Sequence, residues 1–135
     1  MQKCERSRGG LLVVENKNSL IRNDLKFKNQ IEVKYYDQLK WLLQNRSIKS
    51  FEVRPSFQLW AEGEYEFPFQ YTPDFKVVNL DSSVDVIDLK NMEWEDFVKI
   101  KRELKERFSC NLSCITYDEK YKWIDREKLS KWRDL

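Results

Sequence analysis

Tyr71-Thr72-Pro73-Asp74-Phe75-Lys76-Val77-Val78-Asn79-Leu80-Asp81-Ser82-Ser83-Val84-Asp85-Val86-Ile87-Asp88-Leu89-Lys90 is the stretch that decides how this chain is read. Two runs of β-forming residues, Phe75 to Leu80 and Val84 to Leu89, flank Asp81-Ser82-Ser83, so the stretch predicts a β-hairpin. Side chains alternate faces along a strand, which puts Val84, Val86, Asp88 and Lys90 on one face. Ile87 and Leu89 make the other face apolar as well, so the second strand is expected inside a sheet. With residues 81–83 as a three-residue loop, Leu80 pairs with Val84, Val78 with Val86, Lys76 with Asp88 and Asp74 with Lys90. Asp74 and Asp88 then share a face, one diagonal step apart and within reach of a single cation. A two-residue loop would send the acids to opposite faces.

Upstream, Asn23-Asp24 is a plausible helix start, and Ile31, Tyr35, Leu39 and Leu42 recur at helical spacing towards Asn45, with Tyr36 and Leu43 beside them. Residues 1–23, with Gly9-Gly10 and a short strand from Leu11 to Glu15, read as an amino-terminal arm or edge segment. Ile48 to Trp60 predicts one or two strands bent at Pro55. Glu62-Gly63-Glu64 marks a turn before a strand from Tyr65 to Tyr71. Downstream, Trp94, Phe97, Ile100, Leu104 and Phe108 mark an amphipathic helix from Glu93 to Phe108. Leu112 to Tyr117 reads as a strand, and Asp125 as the N-cap of a short helix reaching Trp132. The order predicts an α/β domain over residues 24–135, with one mixed sheet flanked by helices.

Composition narrows the chemistry. The chain has 135 residues, room for one ordinary core, and 41% hydrophobic against 36% charged residues, as in a globular protein. Its longest apolar run, Leu11 to Val14, is too short to span a bilayer or serve as a signal segment, so a cytoplasmic location without membrane contact is expected. A net charge of +2 permits nucleic-acid binding without arguing for it. Cys4, Cys110 and Cys114 are expected as reduced, buried thiols rather than as a disulfide framework or a zinc site. The chain contains 0 histidines, which removes Ser-His and Cys-His hydrolases and every His-based nuclease mechanism.

What remains is carboxylate and lysine chemistry. Mg²⁺ prefers oxygen ligands and keeps several waters, so two or three carboxylates can hold it while phosphate oxygens complete the shell. A bound cation lowers the pKa of water and neutralises charge on the phosphate. A nearby ammonium, Lys90, can position the attacking water and stabilise developing charge. Two carboxylates make a thin site, and Glu32 is the candidate third acid. It lies at the edge of the first helix's apolar stripe, where an unpartnered carboxylate is costly. Taken singly, each acid is better read as a turn, rim or helix-edge residue; in combination they point to a metal site.

Pro73-Asp74, Asp88-Leu89-Lys90 and a helix-borne Glu32 together resemble the PD-(D/E)XK nuclease superfamily. The wider arrangement is similar to small phage endonucleases, to Holliday-junction resolvases of the endonuclease I type and to TnsA-like nuclease domains. The likeness covers Phe27 to Phe108. It implies a restriction-endonuclease-like core of helix, three-stranded meander, helix and strand. It also implies Mg²⁺-dependent hydrolysis of DNA, with Mn²⁺ as a substitute and branched or nicked DNA as the substrate. Glu32, Asp74 and Asp88 would hold the metal and Lys90 the water, in a chain compatible with a homodimer and with a phage origin in a bacterial host. Two positions depart from the pattern: Asp88 stands where many members have Glu, and Asn91 where Gly often follows the Lys.

For DNA, Lys101 lies one turn after Phe97 near the buried edge of its helix and is expected to project towards the site. Lys99, Arg102, Lys105 and Arg107 read as a solvated face available to phosphates, and Arg6, Arg8, Lys26 and Lys28 add charge from the amino-terminal side. Trp41, Trp60, Trp94, Trp123 and Trp132 are expected in the core rather than as base-stacking platforms. Two rivals to an enzyme stand beside this reading. One is a nuclease-fold module for DNA or protein binding without catalysis; the other is a small phage-encoded regulator whose acids are surface residues.

Overall fold

A computed structural model describes residues 19–60 and 68–129. Arg6, Arg8, Gly9-Gly10, the Leu11–Glu15 strand, Cys4, the Glu62-Gly63-Glu64 turn and Trp132 lie outside the described residues. The chain divides between Asp37 and Gln38 into two compact units.

In the first unit, Ile21–Arg22 (β1) and Leu25–Lys26 (β2) form a small antiparallel hairpin. Asn23 and Asp24 are its two turn residues, at φ 48° and 67°. Both occupy the left-handed region that Asn and Asp tolerate, as a two-residue hairpin turn of this kind requires. The expected helix start at Asn23 is therefore corrected: helix α1 spans Gln30–Gln44. Its N-cap is Asn29, whose Oδ1 accepts the Glu32 backbone N–H at 2.9 Å. Nearby, the Phe27 and Tyr36 rings lie 5.1 Å apart, Asn23 donates to the Tyr36 hydroxyl, and Arg22 pairs with Asp37 at 3.0 Å.

The second unit opens with the rest of α1. The helix ends with Arg46 at φ 59°, while Ser47 N–H donates to Leu42 and Arg46 N–H to Leu43. That pair of bonds is the usual closure of a helix with a left-handed residue after it. Ile48–Val53 (β3) and Phe57–Trp60 (β4) follow, separated at Pro55 as expected. Pro68–Tyr71 (β5), Phe75–Asn79 (β6) and Val84–Asp88 (β7) lead into helix α2, Trp94–Phe108. Cys110–Asp118 (β8) and Lys122–Asp125 (β9) precede a single 3₁₀ turn at Arg126–Lys128, capped by Asp125. Asp125 is thus the cap that the sequence suggested, of a 3₁₀ turn at the start of the expected helix, whose remainder from residue 130 lies outside the described residues; β9 before it was not expected.

One five-stranded sheet has the order β3-β6-β7-β8-β9. The β3, β6 and β7 pairings are antiparallel, β7 and β8 run parallel, and β9 returns antiparallel. A parallel pair needs a crossover, and α2 supplies it. The β4–β5 hairpin is a separate two-stranded sheet, outside the single sheet that the sequence suggested. Val86, Cys110, Leu112 and Cys114 form one core with Phe97, Ile100 and Leu104 of α2 and with Phe57, Leu59 and Tyr71 of the hairpin. The opposite sheet face is apolar too, with Phe75, Val77 and Ile87 buried, so β7 is an inner strand as predicted.

The tryptophan expectation holds only in part. Trp94 and Trp123 are half-buried, whereas Trp41 is 60% and Trp60 47% exposed. No helix among the described residues is long and apolar enough to cross a membrane.

Candidate functional site

The β6–β7 hairpin sets the site. Val78 pairs with Val84, Lys76 with Val86 and Phe75 with Ile87. Asn79 N–H donates to Ser83 O, and Ser82 N–H closes back on Asn79 O with Ser82 at φ 73°. The loop therefore has three residues, as expected, but they are 80–82 rather than 81–83. The pairings of Asp74 with Lys90 and of Lys76 with Asp88 are corrected: Lys76 pairs with Val86, the ladder ends at Phe75 with Ile87, and Asp74 just before it donates its N–H to Ile87 O at 3.1 Å. The cause lies in the turn chemistry. Asp81 Oδ1 accepts from both Ser83 N–H and Ser83 Oγ, while the Asn79 amide donates to Ser83 Oγ and Asp85, pulling the turn forward by one residue. The shift moves each pairing by an even number of positions, so both acids stay on one face.

Asp74, Asp88 and Lys90 come together there. Asp88 ends the apolar face formed by Val84 and Val86, opposite Cys114 on the parallel strand, and is 0% exposed. Its Oδ2 accepts the Tyr71 hydroxyl at 2.5 Å, and its Oδ1 accepts the Lys90 backbone N–H at 2.9 Å. Asp74, 5% exposed, accepts the Leu89 N–H at 2.7 Å. The Lys90 ammonium lies 3.3 Å from Asp74 Oδ2 and 3.5 Å from Asp88 Oδ1, and donates to Thr72 O at 3.2 Å. Its side chain is 45% exposed against 6% and 1% for the two acids, so the ammonium stands at the mouth and the carboxylates behind it.

Burial pushes the Asp88 carboxyl above its usual range, and the Asp74 charge adds to the rise; the Tyr71 hydroxyl, the Lys90 N–H and the Lys90 charge oppose it. Burial foremost, then the charge and hydrogen bond of Asp88, pushes the Tyr71 phenol upward, so it stays a proton donor. Cys114 is pushed up to about 12, mainly by burial and then by Asp88. Cys110 is raised by burial as well, and both thiols are free, as the sequence suggested.

Tyr71 stands in the decisive stretch of sequence, yet nothing local gives it a role. It belongs to the β4–β5 hairpin, outside the sheet that carries Asp88, and only the tertiary fold joins the two. An aromatic residue with a polar tip, close before the acid, is the one signal that pointed to it.

Glu32 is carried by the first unit, while Asp74, Asp88 and Lys90 belong to the second. It is 4% exposed, and its Oε1 accepts the Lys28 N–H at 2.9 Å while Asn29 holds its own N–H. This reciprocal arrangement is close to a capping box. Among the described residues, no group of three or more His, Cys, Asp or Glu side chains is disposed to hold a metal ion.

Of the expected DNA-contacting residues, Lys99, Arg102 and Lys28 are exposed. Lys101 pairs with Glu127 at 2.7 Å and lies over the Phe97 ring. Those contacts place it along a groove of about 380 Å³ lined by Trp94, Phe97, Val98 and Arg102.

A sequence profile of one family of proteins of unknown function, DUF1064, matches residues 16–128, nearly the whole chain. The chain belongs to that family. The matched region includes Lys28, Glu32, Tyr71, Asp74, Asp88, Lys90 and α2. Its description names no activity, so membership carries no chemistry of its own to this site. No curated protein matches the chain.

Proposed function

We propose that this chain is a Mg²⁺-dependent endodeoxyribonuclease of the PD-(D/E)XK type, acting on branched or nicked DNA. The observation that carries the reading is the convergence of Asp74, Asp88 and Lys90 at the open end of the β6–β7 hairpin. Element order supports it: apart from the β4–β5 hairpin set between β3 and β6, helix, antiparallel strands β3, β6 and β7, helix and parallel β8 follow the order that the sequence resemblance implies.

The donor set fits a hard cation. Lys90 already holds positive charge between two carboxylate oxygens. Mg²⁺ is commonly bound by one or two carboxylates, with water and phosphate completing its shell. Asp74 and Asp88 would hold it, with Glu32 as the proposed third acid. When bound, the ion lowers the pKa of a bound water and neutralises phosphate charge. The chain's own residues supply the rest. Lys90 reaches the mouth, where its ammonium can orient a water against a scissile phosphate and stabilise charge on the departing oxygens. Leu89 N–H and the Tyr71 hydroxyl hold the two carboxylates in place from behind. The exposed Lys99, Arg102 and Lys28 are the proposed phosphate contacts, together with Lys101 once it parts from Glu127.

The test is cleavage of supercoiled, nicked and four-way-junction DNA with Mg²⁺ or Mn²⁺. Asp74→Ala and Lys90→Ala should each lower the rate by about 10²-fold or more, the scale of losing one electrostatic contact to a transition state, while circular dichroism shows the fold intact. A chain that leaves every substrate uncut with either metal is not this enzyme. Glu32→Gln is read by Mg²⁺ affinity: a loss of about 10-fold or more supports a metal role, and unchanged affinity assigns Glu32 to the α1 cap alone. The rival reading, a catalytically inactive DNA- or protein-binding module, draws on the absence of a three-acid grouping among the described residues. DNA binding without cleavage would favour it.

A further inference from the structure

We infer that Tyr71 is a positioning residue that sets which divalent cation the site accepts, by turning one oxygen of Asp88 away from the mouth. The inference rests on the metal-dependent reading above. Asp88 has two oxygens with separate partners. Oδ2 receives the Tyr71 hydroxyl inside the core, and Oδ1 faces the Lys90 N–H and ammonium. Tyr71 is buried among Leu59, Val86, Phe97 and Cys114, so the phenol cannot swing aside without disturbing the core. An Asp88 held in this way offers a cation Oδ1 alone.

That restriction has a chemical consequence. Ca²⁺ takes six to eight oxygens and readily accepts a carboxylate through both atoms, whereas Mg²⁺ demands near-octahedral geometry and takes carboxylates through one. A one-oxygen Asp88 therefore suits the smaller ion. Without the phenol the carboxylate can rotate, and the larger ion gains a second contact.

Calorimetric titration of the full chain with MgCl₂ and, separately, CaCl₂ tests this for the unaltered protein and for Tyr71→Phe, which removes one oxygen and keeps the ring. The expected result is that Mg²⁺ affinity falls about 10-fold, as when a metal ligand loses its hydrogen-bonding support, while Ca²⁺ affinity holds or rises. Both affinities falling together would mean that Tyr71 only supports the fold, and neither moving would mean that it does not orient Asp88; either overturns the inference. Should the variant fail to fold, infrared difference spectra of the unaltered protein labelled with ¹³C-aspartate decide. On Ca²⁺ addition, the wide separation between antisymmetric and symmetric carboxylate stretches typical of one-oxygen ligation supports the inference, and the narrow separation of two-oxygen ligation overturns it. If the unaltered protein binds neither cation, the nuclease reading falls and this inference with it. If it binds Mg²⁺ and cuts DNA while Tyr71→Phe keeps the same Mg²⁺-to-Ca²⁺ ratio, only this inference falls.

Discussion

Asp88 is a carboxylate kept where a charge is hard to hold, buried at the end of an apolar strand face away from the hairpin turn. Its carboxyl sits above the usual range because burial outweighs the Tyr71 and Lys90 contacts. The linkage follows from that direction. A carboxyl raised in the folded state favours folding while it is protonated, and that contribution is lost as pH rises through the folded value. Asp88→Asn has no charge to desolvate. Its urea midpoint at pH 7 should exceed that of the unaltered protein, and the difference should vanish below the unfolded Asp value of about 3.9. Cleavage by the same variant should be lost at every pH. A variant less stable than the parent at pH 7 would show that the contacts of Asp88 outweigh its burial. At this scale the sequence is legible where chemistry is local: Asp74, Asp88 and Lys90 declare themselves through spacing along one hairpin. Tyr71 does not, because its partner arrives through a different sheet.

The loop between β6 and β7 is the element on which the site turns. Hydrophobic alternation predicts the strands and their shared face, because parity alone decides which side a residue takes. It does not predict which three residues leave the ladder. That choice falls to the hydrogen bonds of Asp81 and Asn79 and to Ser82 in the left-handed region. Ser82→Gly should relieve the backbone cost and stabilise the protein by about 1 kcal/mol, measured by urea unfolding. Deleting Ser82 should do the reverse: a two-residue loop throws Asp74 and Asp88 to opposite faces, and Mg²⁺ binding should disappear. A deletion variant that still binds the ion would place the cation elsewhere. The same logic explains the misplaced start of α1. Asn and Asp serve equally as helix caps and as left-handed turn residues, and only the pairing of β1 with β2 decides between them. β9 escapes a sequence reading for a related reason, since its four residues are too few to establish an alternation.

At the scale of the whole molecule, two consequences follow for solution behaviour. Cys110 and Cys114 are buried, and burial keeps both thiols protonated at ordinary pH, with Cys114 pushed up to about 12. The thiolate is the reactive form, so neither should react with a disulfide reagent at pH 8 until the second unit unfolds. Peptide mapping after brief labelling checks this, and labelled Cys114 in folded protein would contradict it. A cation that binds only the folded state stabilises it by mass action, so Mg²⁺ at 100 times its dissociation constant should add about 2.7 kcal/mol. Unfolding titrations with and without the ion read this directly. The connectivity of the sheet has a further consequence, in time rather than in energy. The two acids are joined by a hairpin, the sort of local contact that closes within microseconds, whereas the α2 crossover and the β7–β8 pair must wait for distant segments to meet. If the hairpin closes first, the carboxylates become neighbours before anything covers them, with Lys90, only two residues beyond Asp88, at hand to relieve their repulsion. In that order of events the hairpin would be a small acidic clasp with its own counterion, and the rest of the chain would close around a site whose charges had already been arranged.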